Sequence, residues 1–487
     1  MIKLKATKMA GVVLVLCVAT VIGLQAQTFN TLVNFDGTDG GNPVASLVEG
    51  LDGNFYGATT GAGAHNGGTI FKITPHGVLT TLYNFCSESD CADGAYPEGA
   101  LALGLDGNFY GTTLHGGDGI CQFTCGTLFK ITPDGRLTTI YLFSGDDGSN
   151  PVAGLIQGAD GNFYGTTVAG GNHGNGTLFR VTSKGKLTTL YTFCSQPNCS
   201  DGDQPTGTLV QGVDGSFYGT TSLGGTGAEC NVIGGCGTVF RIAPNGKLTT
   251  LHNFCETDCS DGFSPWAGLL LASNGNFYGT TTSGGADAVG GTIFKITPNG
   301  ELTTIYGFFC NSECEDGDSP FGQLTEGTDE ALYGTASMGG ATRDGTIFRL
   351  AARSSITTLH NFDGTDGDSP FSGLLQATSG IFYGTTFQGA SNACGDGCGT
   401  LYSLDMGLGP FVAFVRGYGK VGQTGGILGQ GFTGTSSVML NGTPASFTVV
   451  SDTFIRATVP AGATTGYVTV TTPSGVLTSN VPFRVIR

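Results

Sequence analysis

Fourteen of the fifteen cysteines in this sequence fall into seven close pairs: Cys86/Cys91, Cys121/Cys125, Cys194/Cys199, Cys230/Cys236, Cys255/Cys259, Cys310/Cys314 and Cys394/Cys398. Two cysteines at such spacing can close a small disulfide loop or supply half of a tetrahedral thiolate site, and the second use requires two pairs to meet. The pairs are separated by whole repeats, which disfavours that meeting. Each pair is therefore expected to bridge its own loop, stabilising by about 2 kcal/mol on the chain-entropy model and stiffening the loop tip. An even set of paired cysteines suits an oxidising compartment.

Carboxylates form the second chemical group. Asp-Gly-x-x-Pro recurs at Asp39, Asp93, Asp147, Asp201, Asp261, Asp316 and Asp366. Where a second acid is close, as at Asp36/Asp39 and Asp363/Asp366, the oxygens are candidate Ca²⁺ ligands. They lack the spaced ligand series of a calcium loop, so turn formation by Asp-Gly is the preferred reading. No other cofactor is expected. His65, His115 and His173 sit in loops of three successive repeats but at unequal offsets, which reads as solvated loop histidines rather than a metal cluster. No nucleophile elbow, HExxH helix, phosphate loop or dinucleotide fingerprint occurs. Acids are numerous enough to form a glycosidase couple, yet nothing selects one pair.

The third group is aromatic. The residue after the proline of each Asp-Gly-x-x-Pro is Val44, Glu98, Val152, Thr206, Trp266, Phe321 and Phe371 in turn. Three consecutive repeats thus place an aromatic at one position, including the only tryptophan, with Phe263 and Tyr96 in nearby loops. Trp266, Phe321, Phe371, Tyr96 and Phe263 are candidates for an arc that stacks on sugar rings or another flat ligand; an apolar plug that packs the channel is the preferred reading.

These residues need a scaffold, and the sequence repeats it. Phe-Tyr-Gly recurs at Phe55, Phe109, Phe163, Phe217, Phe277 and Phe382, with Leu332-Tyr333-Gly334 as a variant, and the steps between tyrosines are 54, 54, 54, 60, 55 and 50 residues. A period of this length without a helical pattern predicts an all-β seven-bladed β-propeller over residues 28–406, in preference to a solenoid. Four strands are read in the first unit: 44–50, 54–60, 69–74 and 79–85. Asp-Gly and Pro-x-Gly turns join them. The seventh unit lacks a fourth strand, and residues 28–35 match the missing copy, so the N-terminal strand is expected to close the ring as the outer strand of the last blade. The short turns then fall on one face. All seven cysteine pairs and the variable loops fall on the other, which is the candidate binding face.

Residues 1–26 read as a signal peptide: Lys3, Lys5 and Lys8 precede an apolar run from Ala10 to Leu24, too short to span a bilayer, and Leu24-Gln25-Ala26 offers a cleavage site. No transmembrane segment is expected after cleavage. Repeats and cysteines stop near Pro410, and short alternating segments over residues 411–487 predict a small antiparallel sandwich. Acids outnumber Lys and Arg by 37 to 20, which argues against nucleic acid as partner. Only 12% of residues are charged and 39% are hydrophobic, enough apolar surface to rule out a low-complexity disordered chain.

Asp-Gly-Asn-Phe-Tyr-Gly and Gly-Thr-Ile-Phe-Lys-Ile-Thr-Pro segments make residues 28–406 resemble the Gloeobacter/Verrucomicrobia tandem repeat of choice-of-anchor exported proteins, a resemblance that implies export and no established activity. The anchor often found in such proteins is not evident, since no apolar tail precedes Arg487. Residues 411–487 resemble an IPT/TIG domain, an immunoglobulin-like module, through Asn441-Gly442-Thr443-Pro444-Ala445 and Val468-Thr469-Val470-Thr471-Thr472-Pro473. The function expected is that of a secreted or cell-surface bacterial binding or adhesion protein whose partner is an extracellular polymer or cell-surface component, with carbohydrate as one candidate. The alternative is a secreted polysaccharide hydrolase or lyase using carboxylates on the same face.

Overall fold

The structure is a computed structural model that describes residues 27–117, 125–227, 235–285, 290–310, 314–351, 355–390, 394–395 and 397–486. The expected signal peptide lies outside the described residues.

The first repeat forms Val48–Glu49 (β2), Phe55–Thr59 (β3), Thr69–Ile73 (β4) and Leu79–Asn84 (β5), paired antiparallel in that order. Its turns are built by side chains. Asp52 accepts from the Asn54 N–H (3.2 Å), the Asn54 side-chain amide (2.7 Å) and the Tyr56 hydroxyl (2.9 Å), which closes the β2–β3 hairpin. Thr74 closes the next turn, its Oγ1 accepting from Val78 N–H at 3.1 Å. The tyrosine–aspartate bond recurs at Tyr110/Asp106, Tyr164/Asp160, Tyr218/Asp214 and Tyr333/Asp329. These residues are scaffold, as their repetition implies.

Among the described residues there are seven such four-stranded sheets. Phe55 and Tyr56 are adjacent in one strand and so face opposite sides of their sheet. Tyr56 packs on Phe109 of the second repeat (ring centroids 4.1 Å apart), and Phe55 packs on Tyr383 of the last (4.2 Å). The same contact joins Tyr110 to Phe163, Tyr164 to Phe217, Tyr218 to Phe277 and Tyr333 to Phe382. Between the fifth and sixth sheets Leu332 takes the phenylalanine's place, in a cluster that holds Tyr278. Each sheet thus packs on the next, and the seventh returns to the first.

Thr28–Asn34 (β1) pairs with Thr400–Asp405 at the outer edge of the seventh sheet, where the repeat count places it. Phe29 secures it, stacked on His360 at 3.7 Å and packed on Phe362 and Tyr402.

The inner strand departs from expectation: β2 spans two residues, where the sequence predicts 44–50. After Pro43, which brings no N–H, the chain leaves the ladder and lies against its neighbours in adjacent repeats instead. The closeness is visible at Gly268, where a Cβ would fall 2.4 Å from the Thr208 carbonyl oxygen.

Residues 410–486 form two further four-stranded antiparallel sheets around Val412, Ile427, Phe432, Val438, Ile455 and Val470. This segment docks on the end of the repeat array that carries the Asp-Gly turns. Thr453 Oγ1 donates to Leu51 O (2.7 Å), Tyr418 OH to Gln157 O (2.6 Å), Arg416 to Gly158 O and Ala159 O (both 3.4 Å) and Gln430 to Thr378 Oγ1 (3.0 Å). Leu428 and Phe454 enter an apolar cluster with Leu103 and Leu51.

Candidate functional site

The opposite end is organised by the Asp-Gly-x-x-Pro turn, and the fifth repeat shows how. Asp261 Oδ2 pairs with His252 Nε2 of the preceding strand at 2.8 Å, and its Oδ1 accepts from Cys255 N–H. Gly262 (φ +88°) crosses over the Thr281–Thr292 hydroxyl pair, themselves 2.9 Å apart. Phe263 exchanges backbone hydrogen bonds with Ser283. Ser264 is left-handed (φ 53°) and is held there by Ser264 N–H to Cys236 O (2.9 Å) and Thr282 N–H to Ser264 O (3.2 Å). Pro265 follows, and Trp266 is delivered to the central cavity.

Each step recurs. The aspartate is met by Tyr83, Tyr141, Tyr191, Tyr306 or His360 in other repeats. Asp39 lacks this partner because its preceding strand is β1, with Val33 in the aromatic's place. All seven residues before the prolines, Asn42, Tyr96, Asn150, Gln204, Ser264, Ser319 and Ser369, have φ between 53° and 61°. That conformation is costly for a non-glycine residue ahead of proline, and here two backbone hydrogen bonds impose it. Its effect is to aim the residue after the proline inward.

The seven residues so aimed line one open cavity of about 460 Å³, with Phe387 beside them and small residues beneath. Trp266 meets Phe321 edge-on, Phe321 meets Phe371 (5.2 Å) and Phe371 meets Phe387 (5.3 Å). Trp266 is 44% exposed. Glu98 lies on the same cavity, half-buried, and burial alone pushes its carboxyl above the ordinary range.

Of the aromatics expected in the arc, the structure brings Trp266, Phe321 and Phe371 together. Tyr96 and Phe263 do not line the cavity. Tyr96 packs edge-on against His115 at 5.3 Å, and Phe263 packs with Cys255 and Cys259. The reason is positional: both precede the proline and lie on the loop's outer side. Phe387 lies outside the expected arc; its one signal is an aromatic where the other six repeats have Thr60, Leu114, Val168, Ser222, Thr282 and Ser337.

Cys86–Cys91, Cys194–Cys199, Cys255–Cys259, Cys310–Cys314 and Cys394–Cys398 are disulfides. The expected Cys121–Cys125 and Cys230–Cys236 bridges fall on Cys121 and Cys230, outside the described residues. The bridges adjoin the turns that aim the cavity residues: Gly94 N–H donates to Cys91 O (2.8 Å) and Cys86 N–H to Gly94 O (3.0 Å). One expectation about the cysteines fails. Cys236 lies close to Cys255 and Cys259, because the loop between second and third strands meets the loop after the fourth strand of the same repeat. All three are disulfide-bonded and offer no thiolate.

The acidic loops spend their oxygens internally. Asp36 accepts from Thr38 (2.7 and 2.8 Å), Asp39 from Asp36 N–H, Asp363 from Thr365, and Asp366 from Asp363 N–H. Among the described residues, no group of three metal-ligating side chains contains these aspartates or His65, His115 and His173. Nor is any helix there long and apolar enough to cross a membrane.

The family model of the Gloeobacter/Verrucomicrobia repeat matches residues 18–233 and 195–402. No curated protein matches by sequence. Among solved structures, virginiamycin B lyase from Staphylococcus aureus is similar with a TM-score of 0.50 and 17% identity, over 78% of this chain and 99% of its own. A fungal alcohol oxidase of the AA5 family, in complex with copper, is similar with a TM-score of 0.53 and 12% identity, over 95% and 100%. At such identities the likeness shows the fold alone, all-β and propeller-like.

Proposed function

The chain belongs to the Gloeobacter/Verrucomicrobia repeat family, and on that footing we propose that it is an exported bacterial binding or adhesion protein that holds an extracellular carbohydrate at the mouth of its central cavity. In this reading the seven sheets are blades of a seven-bladed propeller over residues 28–406. Residues 411–487 are an IPT/TIG immunoglobulin-like module seated on its far end, and residues 1–26 direct export to the cell surface or medium. The disulfides fit an oxidising destination.

The observation that carries the proposal is the aromatic arc of Trp266, Phe321, Phe371 and Phe387 on an open cavity, with Trp266 itself exposed. Its volume lies within the range of roughly 300–1,000 Å³ common for small-molecule sites. Disulfide-held loops around it keep the site preorganised, which lowers the entropy lost on binding. Hydrolysis is supported less well, since glycosidases use two carboxylates and Glu98 is the one carboxylate lining this cavity among the described residues.

Retention on a polysaccharide panel, with assays for new reducing ends and unsaturated products, tests the proposal. Retention without product, lost in Trp266→Ala at unchanged melting temperature, is the expected result. Product formation would favour the hydrolase or lyase. No retention on any polysaccharide, or retention unchanged in Trp266→Ala, would remove the reading.

A further inference from the structure

Among the described residues, Glu98 is the one charged side chain that lines the cavity. Six other repeats fill its position with Val44, Val152, Thr206, Trp266, Phe321 and Phe371, so the scaffold makes no demand for an acid there. Three other acids withdrawn from solvent in the repeats have partners: Asp261 has His252, Asp201 has Tyr191 and Ser195, and Glu49 has Thr378. Glu98 has neither a hydrogen bond nor an ion pair among the described residues, and no neighbouring charge acts on it. A half-buried carboxylate without a partner is destabilising for the empty protein.

What would neutralise it must come from outside. The cavity offers such a ligand three further groups, the rings of Trp266, Phe321 and Phe371, contributed by the fifth, sixth and seventh repeats, whereas Glu98 belongs to the second. Aromatic faces attract cations as well as apolar surface, most strongly at tryptophan. The indole N–H of Trp266 also has no partner among the described residues. A neutral sugar would use the rings and could donate hydroxyl hydrogen bonds to the carboxylate without neutralising its charge; an inorganic cation would use the carboxylate and leave the rings unused. A ligand with an apolar body and an organic cation uses both.

We propose that the cavity mouth binds an organic ammonium group, its carbon skeleton lying on Trp266, Phe321 and Phe371 and its cation neutralised by Glu98. This rests on the binding reading above and narrows its carbohydrate to a sugar bearing a free amine. The same chemistry in a free quaternary ammonium compound is the other source.

Calorimetric titration of the protein at low ionic strength with a glucosamine trisaccharide, its N-acetylated counterpart and choline tests this. The glucosamine trisaccharide is expected to bind at least about tenfold more tightly than the N-acetylated form. Glu98→Gln should remove that preference, and Glu98→Asp, which keeps the charge, should retain it. Binding of choline with the same dependence on Glu98 supports the ammonium site and assigns it to a free cation. If neither ammonium probe binds, or both bind Glu98→Gln unchanged, the inference is overturned. Trp266-dependent binding of the N-acetylated sugar that ignores Glu98 overturns it while leaving the carbohydrate reading in place.

Discussion

The indole of Trp266 meets the ring of Phe321 edge-on, with centroids 5.8 Å apart and planes at 72°. Phe321 is in turn met edge-on by Phe371, so it is flanked on two sides while Trp266 ends the row. Trp266→Ala is therefore expected to cost little stability, under about 1 kcal/mol, because 44% of the residue is already in water. Phe321→Ala, which opens a gap between two rings, is expected to cost roughly 1–2 kcal/mol. Urea denaturation of the two variants checks the order; a larger loss for Trp266→Ala would make the tryptophan a packing residue.

Glu98 gives a pH-dependent prediction. Burial raises its folded-state value above the ordinary glutamate value of 4.5. The stability carried by its protonated form is thus fully present below about 4.5 and is lost as pH rises through the folded value. Glu98→Gln stays neutral at every pH. Its melting temperature should exceed that of the wild type at pH 7 to 8, and the two curves should converge below pH 4.5. Equal melting at neutral pH would mean that the carboxylate is better solvated than its place on the cavity implies.

Glu49 sits at the other end of the array and ties the first repeat to the seventh. Its two oxygens accept from the Thr378 N–H (2.9 Å) and Thr378 Oγ1 (2.6 Å), and both residues are buried. Gln157, Gln211, Glu326 and Gln376 make the equivalent bond to the neighbouring turn, to Leu105, Ala159, Ser273 and Thr328 respectively. Glu49→Ala leaves a buried N–H and hydroxyl unpaired and is expected to cost roughly 2–4 kcal/mol. Glu49→Gln, which copies three sister repeats, should cost much less. Chemical denaturation monitored by tyrosine fluorescence distinguishes the two variants.

The spacing of the sequence carries the repeat, the place of β1 and the grouping of the variable loops, because each follows from counting strands of period-two alternation. Pairings between distant parts are not countable. Nothing local says that Tyr83 or His252 will meet the aspartate of the next turn, although the alternation of Tyr and His at that strand position ahead of an invariable Asp is a signal in hindsight. The small docking contacts of Arg416 and Tyr418 use backbone carbonyls, which every residue owns, so no sequence pattern marks them. Tyr96 and Phe263 show the same limit at the site: nearness in sequence to Pro97 and Pro265 puts them in the expected arc, whereas the left-handed turn made by Tyr96 itself, and by Ser264 after Phe263, separates them from the residue that reaches the cavity.

That turn is itself testable at Gly262. A Cβ there would lie 2.0 Å from Thr281 Oγ1 and 2.7 Å from Thr292 Oγ1, and the backbone is left-handed at φ +88°. Gly262→Ala therefore combines an unfavourable conformation with a clash against a buried hydroxyl pair, for an expected cost of roughly 2–4 kcal/mol. Relief cannot come from a small shift alone, because Thr292 Oγ1 also donates to Asp261 O at 3.1 Å and would lose that bond. The double variant Gly262→Ala with Thr281→Ala removes the nearest clash, so part of the loss should return, leaving about 1 kcal/mol or more from the backbone term. Because Trp266 is only four residues on, ligand affinity should fall in the single variant even where the protein is still folded. Denaturation and binding measured on the same samples check both effects, and a single variant as stable as wild type would show that the turn is not held by this packing.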